Sequence, residues 1–340
     1  MINLSSFDFE KTHSLNEMFE DTFGRQDFIL GETVQNFESA WAKYCHQKHC
    51  VTVASCTDAL RLTLQHLGVG PNTSVVTTPF TWISTLEVVK QLGAEIILVD
   101  VDKTWCIDVY QTKKSIRSDT KAIIGVDIFG QQCNWKQLNA IGIPTVCDAA
   151  QSAGLKPMAD YTCYSFYPTK NLSCVGDGGA VVSNLTLDEI RSIRNHGQIT
   201  KFDVVNVGWN SRLDSIKAEL LLKKLPYLDE WNATRQKNAE HYKNNLSYKL
   251  GGQPIHMPTV YHQFVILTQD KNALQKHLAE KNIQSRSYYD PLPCAKSPYQ
   301  TNNSIPKAEH LSEHNLAIPV HQYLTKDNVD FIIESINEFV

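Results

Sequence analysis

Several signals are missing from this chain of 340 residues, and each absence argues against a class of protein. It has no apolar run of about 18 residues, so we expect no helix that crosses a membrane. Its first residues, MINLSSFDFEKTH, include acids and no apolar core, which argues against an export signal. It has no long basic run and its net charge is −4, so we expect no nucleic acid partner.

Cysteine and glycine patterns exclude further kinds of site. The nine cysteines are scattered and form no CxxC pair, which argues against a disulfide scaffold and against a zinc site. Scattered cysteines inside apolar segments are typical of reduced thiols, so we expect a cytoplasmic protein without a metal. The sequence also lacks the glycine patterns of the Walker and Rossmann phosphate sites.

Seven apolar segments alternate with helical patterns and predict the central architecture. Most are continuous runs of β-branched residues, as in strands that are buried on both faces of a mostly parallel sheet covered by helices. The segments are CVTVAS (50–55), SVVTTPF (74–80), EIILVDV (95–101), KAIIGVDIFG (121–130), GIPTVCDAA (142–150), CYSFYP (163–168) and GGAVVS (178–183). Helices over 57–68 and 84–93 each end at a glycine, Gly68 and Gly93.

The remaining patterns predict two domains in an α/β protein. Residues 13–45 are expected to be helical, and two long helices are expected between about residues 213 and 245. A strand over 262–268, a helix over 270–281, an irregular proline-rich stretch over 291–306 and a closing helix over 326–339 follow. We therefore predict a large domain over 1–245, which includes the linking helices, and a small α+β domain over 246–340.

The segment SFYPTKNLSCVGDGG, residues 165–179, is the first candidate for chemistry. Pro168 ends the preceding strand, and Lys170 follows in a loop that closes with three glycines in four residues. A lysine at the edge of a sheet can act as an amine nucleophile. Taken alone, a lysine in this position favours the other interpretation, a surface lysine in an ordinary turn.

Two further candidates lie where predicted strands end. Ser55, Cys56 and Thr57 precede a helix, whose free N–H groups could hold a phosphate; an ordinary N-cap is the alternative. Asp148 ends the strand PTVCD, at the edge where parallel sheets bind ligands. A carboxylate in such apolar surroundings needs a cationic or N–H partner. The alternative is that Asp148 is an ordinary N-cap, whose partner is an N–H group of the following helix.

Three more residues have two interpretations each. Trp82, in PFTWIST, could stack on a flat ring or lie in the core. Asn210 and Arg212, in GWNSRLDS, precede a long helix; the arginine could bind a carboxylate or phosphate, or the pair could be a solvated helix start.

Together the candidates describe a ligand with a planar ring, a phosphate, a basic ring nitrogen and an aldehyde. Over nearly its whole length the chain resembles the DegT-type sugar aminotransferases, pyridoxal-phosphate (PLP) enzymes of the aspartate aminotransferase fold, fold type I. The resemblance lies in FILGETVQNFESAWAKYC, ASCTDAL, TTPFTWIST, DAAQSAG, SFYPTKNLSCVGDGGAVVS, RNHG and GWNSRLDSIKAELLLKKLPYLDEWNATR.

The resemblance implies a role for each candidate residue. Lys170 would attach PLP covalently and move protons, and Asp148 would pair with the ring nitrogen. Trp82 would stack on the ring and Gln151 would lie near its hydroxyl. The phosphate would be held by the backbone around Cys56, by Thr57 and by Ser165. Asn210 would reach the phosphate in the neighbouring subunit, which makes a homodimer with shared active sites, and Arg212 would contact a substrate carboxylate or the nucleotide.

The implied reaction moves an amino group from L-glutamate to a keto carbon, C-3 or C-4, of a nucleotide-linked deoxysugar for glycan or lipopolysaccharide biosynthesis. GWNSRLD favours C-3 slightly, whereas TPFTWIST resembles relatives that act at C-4. Two alternatives are a PLP-dependent sugar dehydratase, against which Lys170 counts, and a catalytically idle regulatory protein of the same fold.

Several residues depart from the family pattern. Cys56 stands where glycine is common, and Asp127, Tyr288 and Cys294 stand where histidine is common. These departures are expected mostly where the sugar nucleotide would lie, so they bear on the choice of substrate.

Overall fold

The central sheet has seven strands and is mostly parallel, as predicted. A computed structural model describes residues 1–5, 20, 22–247, 249–252, 257–300 and 303–340. The strands are β1 (His49–Val53), β2 (Ser74–Thr77), β3 (Glu95–Leu98), β4 (Thr120–Val126), β5 (Thr145–Asp148), β6 (Tyr161–Ser165) and β7 (Gly179–Ser183). Their order in the sheet is β1-β7-β6-β5-β4-β2-β3. Strand β7 runs antiparallel to both of its neighbours, β1 and β6, and the other neighbouring pairs of this sheet are parallel.

Helices cover both faces of this sheet. They are α1 (Glu32–Tyr44), α2 (Cys56–His66), α3 (Ser84–Gln91), α4 (Val109–Ser115), α5 (Trp135–Asn139), α6 (Asp188–Ile193), α7 (Ser215–Lys224) and α8 (Leu228–Asn245). Successive residues of β4 enter different cores: Ile123 packs with α1 and α5, and Ile124 with α2 and α6. Two-sided burial explains why the strands are continuous apolar runs.

The ends of α2 and α3 confirm the glycine signals. Gly68 and Gly93 follow the C-cap residues of these helices and have positive φ angles of +72° and +80°. A side chain disfavours this conformation, which explains why the helices stop there. None of the helices in the described parts of the chain is long and apolar enough to span a bilayer.

The predicted helix over residues 13–45 is wrong in its middle. Residues 13–19 and 21 lie outside the described residues; residues 22–25 and 32–44 are helical, but the chain leaves the helix between them. Gln26 and Leu30 adopt positive φ angles there. The Asp27 carboxylate accepts a hydrogen bond from the Thr33 N–H at 3.0 Å. Asp27 therefore satisfies an N–H at the start of α1 that an unbroken helix would have satisfied internally.

A second sheet lies in the C-terminal part of the chain. It consists of β10 (Gly251–Gly252), β11 (Phe264–Leu267) and β12 (Asn315–Ile318), and a short hairpin, β8 (Gln198–Thr200) and β9 (Asp203–Val204), precedes it. Helices α9 (Lys271–Glu280), α10 (Pro306–His314) and α11 (Lys326–Phe339) complete this part. The strand over 262–268 and the helices over 270–281 and 326–339 are therefore present, whereas α10 and β12 were not predicted. The division at residues 245 and 246 stays a prediction.

A close approach between β7 and the start of α2 shapes the phosphate turn. A Cβ added to Gly179 would lie 2.4 Å from the Ser55 carbonyl carbon and 2.7 Å from the Cys56 nitrogen. Both contacts are with backbone, which cannot rotate away as a side chain can. Glycine at this position is therefore required for the strand and the helix start to meet.

We expect Gly179→Ala to lower the free energy of unfolding by about 1–3 kcal/mol, because β7 or α2 must shift. Urea unfolding of the purified variant measures this change. The matched control is Gly24→Ala, where an added Cβ would meet no atom within 4 Å and no loss is expected. Equal stability of the two variants would contradict the proposed close approach.

Candidate active site

A cavity of about 660 Å³ opens where several strands of the large sheet end. This volume lies within the range of small-molecule sites. Seven of the nine predicted site residues contribute to its wall: Cys56, Thr57, Trp82, Asp148, Gln151, Ser165 and Lys170. They come from segments that follow β1, β2 and β5 and from β6 with its following loop, because the carboxyl ends of these strands share one edge.

Lys170 lies in a tight turn beyond the end of β6. Its N–H donates to the Tyr167 carbonyl at 2.9 Å, which holds the turn around Pro168. The side chain is half-buried, and burial lowers the pKa of the Lys170 amine. A lowered pKa increases the fraction of uncharged amine, the form that attacks an aldehyde.

Asp148 is buried at the end of β5, with 6% of its surface exposed. One carboxylate oxygen accepts from the Thr85 hydroxyl at 2.8 Å, and the other from the Ala150 N–H at 3.2 Å. The Cys56 thiol lies 3.8 Å from the second oxygen. Burial raises the pKa of Asp148, although these donors and the charge of Lys170 oppose the rise. Among the described residues Asp148 has no salt bridge, and Lys170, which also lines the cavity, is the cation whose charge acts on it.

Residues Ser55–Thr57 at the start of α2 form a helix N-cap and also leave N–H groups free to bind a phosphate, so both interpretations of this turn apply. The Ser55 hydroxyl caps the helix by accepting from the Asp58 N–H at 3.1 Å. The N–H groups of Cys56 and Thr57 precede the first helical acceptor and so have none within the helix. The Thr57 hydroxyl donates to the Ser84 hydroxyl at 2.9 Å and lines the cavity. Capping by Ser55 therefore leaves the N–H groups of Cys56 and Thr57 for an anion, with the Thr57 hydroxyl beside them.

Trp82 and Gln151 present flat and polar surfaces to the cavity. Trp82 is 63% exposed, so it belongs to the cavity wall and not to the core. The Gln151 carbonyl accepts from the Phe129 N–H at 2.6 Å, and its amide donates to the Tyr289 hydroxyl at 3.3 Å. Both partners of Gln151 have positive φ angles, and the Phe129 and Tyr289 rings stack with centroids 6.3 Å apart. Gln151 is thus held in one orientation.

Asn210 and Arg212 do not contribute to the wall of this cavity. Asn210 is exposed and pairs through its backbone with Asn195. The Arg212 guanidinium donates to the Asn195 side chain at 3.1 Å. The position of Asn210 leaves it accessible to a second copy of the chain, so its role in a neighbouring subunit stays a prediction.

Sequence reasoning missed residues that come from distant segments. Thr85 holds Asp148 but looks like an ordinary helix residue in the sequence. His262, Tyr288 and Tyr289 reach the cavity from the C-terminal part of the chain. His262 is buried beside the lysine turn, with Nδ1 3.1 Å from the Asn171 side-chain oxygen. Burial and nearby positive charges hold the pKa of His262 well below its usual value, so it is neutral.

Only some of the departures from the family pattern lie at the cavity. Tyr288 contributes to the wall, whereas Cys294 is buried and does not. The Asp127 carboxylate is buried and accepts from the Cys133 N–H at 2.8 Å, the Trp135 indole at 3.0 Å and the Ser152 hydroxyl at 3.0 Å. The expectation that Asp127 bears on the substrate is therefore wrong for this chain, because all its donors are internal.

The donor set of the cavity fits PLP. The free N–H groups at the start of α2 suit its phosphate, and the exposed face of Trp82 suits its ring. Asp148 is a buried carboxylate without a salt bridge among the described residues, which suits a protonated ring nitrogen. Lys170 supplies the amine for the aldehyde. The phosphate, the ring, the ring nitrogen and the aldehyde of the cofactor therefore each have a complementary group in one cavity.

Comparisons with known proteins show which proteins the chain resembles. Residues 10–337 match the model of the DegT/DnrJ/EryC1/StrS aminotransferase family. The "pleiotropic regulatory protein" of Geobacillus stearothermophilus is 32% identical over 100% of this chain and 98% of its own length. The UDP-2-acetamido-2-deoxy-3-oxo-D-glucuronate aminotransferase of Pseudomonas aeruginosa is 34% identical over 90% of both chains. A crystal structure of a family member from Brucella abortus has a TM-score of 0.91 and 32% identity over 96% of this chain and 95% of its own.

The raised pKa of Asp148 predicts that this residue lowers the stability of the cofactor-free protein more at neutral pH than at acidic pH. A carboxyl with a raised pKa in the folded state destabilises the fold above that pKa, and the cost disappears as the pH falls through it. We expect cofactor-free Asp148→Asn to melt at or above the wild-type temperature at neutral pH. The advantage should shrink on acidification in a thermal melting series.

Asp203→Asn is the matched control, because Asp203 is exposed on the β8–β9 hairpin. Its difference from wild type should not change with pH. An Asp148→Asn protein that melts far below wild type at neutral pH would show that the carboxylate stabilises the fold.

Proposed function

The chain belongs to the DegT/DnrJ/EryC1/StrS aminotransferase family, and we propose that it transfers an amino group from L-glutamate to a keto carbon of a nucleotide-linked sugar. The family depends on PLP, and the fold is that of the PLP aminotransferases. The observation that carries the proposal is the meeting of Lys170, Asp148 and the start of α2 in one cavity. The Pseudomonas relative supports a 3-oxo sugar, so we favour C-3 over C-4.

We assign the following tasks to the residues of this chain. When bound, PLP supplies an electron sink for the α-carbon of the amino donor. Asp148 holds a proton on the ring nitrogen through its cavity-facing carboxylate. Lys170 holds the cofactor and then moves a proton with its Nζ. The start of α2 would bind the phosphate, and Trp82 would offer its exposed face to the ring.

We also propose that the protein acts as a cytoplasmic homodimer in amino-sugar biosynthesis for lipopolysaccharide or another glycan. All nine cysteines are buried free thiols, which supports a reducing compartment. Asn210 is exposed outside its own cavity, which supports a contribution to the cavity of a second copy. The β8–β9 hairpin and the residues that follow it carry exposed apolar side chains, which a partner subunit could cover: Ile199, Phe202 and Val207.

A second candidate is a regulatory protein without turnover. The printed name of the Geobacillus relative favours it. The retention of Lys170 and Asp148 in a cavity that fits PLP counts against it, because regulation alone would not require them. Lys170 also counts against the dehydratase alternative.

Lys170→Ala tests the proposed reaction directly. In the wild-type protein, L-glutamate should shift the visible absorption band of the bound cofactor to shorter wavelength as it becomes the amine form. We expect Lys170→Ala to abolish this shift, because the amine that moves the proton is lost. Lys136→Ala, in an exposed position of α5, is the control and should behave as wild type.

A wild-type protein whose bound cofactor does not respond to L-glutamate or to other amino acids would favour the regulatory candidate. Conversion by Lys170→Ala at the wild-type rate would contradict the role of Lys170.

Mixed subunits test whether active sites are shared. Lys170→Ala and Asn210→Ala proteins should each be impaired, but a hybrid dimer would contain one site with both residues intact. After the subunits are dissociated and reassociated in equal amounts, we expect about a quarter of wild-type activity, since half of the dimers are hybrids with one intact site of two. Activity in the mixture no higher than in the parents would mean that Asn210 acts within its own chain.

A further inference from the structure

Arg286 contributes an unassigned positive charge to the cavity. The residue lies in the C-terminal part of the chain, and its backbone is fixed against β12. The Arg286 N–H donates to the Ala317 carbonyl at 3.1 Å, and the Ala317 N–H donates back at 2.8 Å. Arg286 lines the cavity that also contains Lys170, and it lines a neighbouring smaller cavity as well. The paired backbone therefore fixes the position from which the guanidinium extends.

Within the described ranges, the Arg286 guanidinium forms no salt bridge and no hydrogen bond. The nearest acid in sequence, Asp290, is engaged by the Lys271 amine at 2.7 Å. The acids on the cavity wall are Asp148, which is buried at the end of β5, and Asp177, which is exposed in the glycine-rich loop. No described carboxylate neutralises Arg286.

The neighbours of Arg286 form a polar wall. The Gln263 amide donates to the Tyr288 hydroxyl at 3.0 Å, and both side chains line the cavity. Arg286 and Tyr288 are two residues apart and both line the cavity. Burial raises the pKa of Tyr288, and the charge of Arg286 opposes the rise. Tyr288 therefore keeps its proton and can donate to an acceptor while Arg286 supplies the charge.

We propose that Arg286 binds an anionic group of the substrates, a carboxylate or a phosphate, and that Tyr288 donates a hydrogen bond in the same subsite. The guanidinium matches two oxygens of either group in parallel, which a lysine cannot do. Arg286 and Tyr288 come from the C-terminal part of the chain, whereas the anchor proposed for the cofactor phosphate is the start of α2. The assignment rests on the proposed function, because that function supplies the anionic substrates.

Two substrate groups share this chemistry. The amino donor L-glutamate carries carboxylates, and the nucleotide-linked sugar carries a diphosphate. Arg212, the arginine selected from the sequence, contacts Asn195 outside the cavity, whereas Arg286 lies on its wall. Because transamination uses one site for both substrates in turn, one guanidinium could serve either of them.

Binding of unreactive probes to the PLP-loaded protein tests the proposal without turnover. The probes are glutarate, which has both carboxylates of the donor but no amine, and the nucleoside diphosphates UDP and dTDP. Calorimetry gives the dissociation constant of each probe for wild type, Arg286→Gln, Arg286→Lys and Arg117→Gln. Arg117 is the matched control, because it binds Glu95 on the protein surface away from the cavity.

We expect Arg286→Gln to raise the dissociation constant of one class of probe at least about tenfold, since a charged hydrogen-bond partner is lost. Loss of glutarate affinity identifies the donor carboxylate, and loss of UDP or dTDP affinity identifies the diphosphate. Arg286→Lys should lie between wild type and Arg286→Gln, and Arg117→Gln should match wild type.

Unchanged affinities in Arg286→Gln overturn the proposal, as does a wild-type protein that binds none of the probes. Thermal melting should show that Arg286→Gln is folded, because only the side chain changes while the backbone pairing with Ala317 remains. The proposed function fails separately, if L-glutamate leaves the spectrum of wild-type bound cofactor unchanged.

Discussion

The site depends on one constraint, the burial of the Asp148 carboxylate without a salt bridge in the described part of the chain. The backbone fixes its position on both sides, since β5 pairs with β4 through Val126 and with β6 through Cys163. Thr85 and the Ala150 N–H orient the oxygens but do not neutralise them. A buried charge in this state is unfavourable by itself and becomes favourable when a cation arrives. The end of β5 therefore fixes a carboxylate that would favour a positively charged ring nitrogen. The other residues of the cavity wall are arranged around Asp148.

The sequence predicted the location of a residue wherever that residue lies at the end of a recognisable strand. The predicted strands were continuous apolar runs, so their ends were visible, and in a parallel sheet those ends share one edge. Cys56, Trp82, Asp148 and Lys170 each follow such a strand, and the structure brings all four to one cavity. The seven strands and the two glycine-terminated helices were predicted for the same reason, since each has a local signal. The resemblance to a family supplied what spacing could not, namely the cofactor and the role of each residue.

The remaining residues could not be predicted, because packing and not local pattern decides their position. Asp127 and Asp148 both follow apolar strands, yet Asp127 is satisfied internally by Cys133, Trp135 and Ser152. No sequence pattern distinguishes the two carboxylates. Tyr288 and Arg286 reach the cavity only because the segment before α10 folds back over the edge of the large sheet. The interruption before α1 was missed because helical periodicity continues on both sides of it.

The contact between Phe129 and Tyr289 links two distant parts of the chain. Their rings are nearly parallel, with an interplanar angle of 7°, and both residues have φ angles that side chains normally avoid. Such conformations persist only when the surroundings hold them, and each residue is part of the surroundings of the other through Gln151. The two segments therefore depend on each other structurally. If residues 286–291 were replaced by the corresponding residues of a relative, residue 129 would have to be replaced with them. An attempt to alter the cavity wall should thus replace both segments together and leave the seven-stranded sheet unchanged.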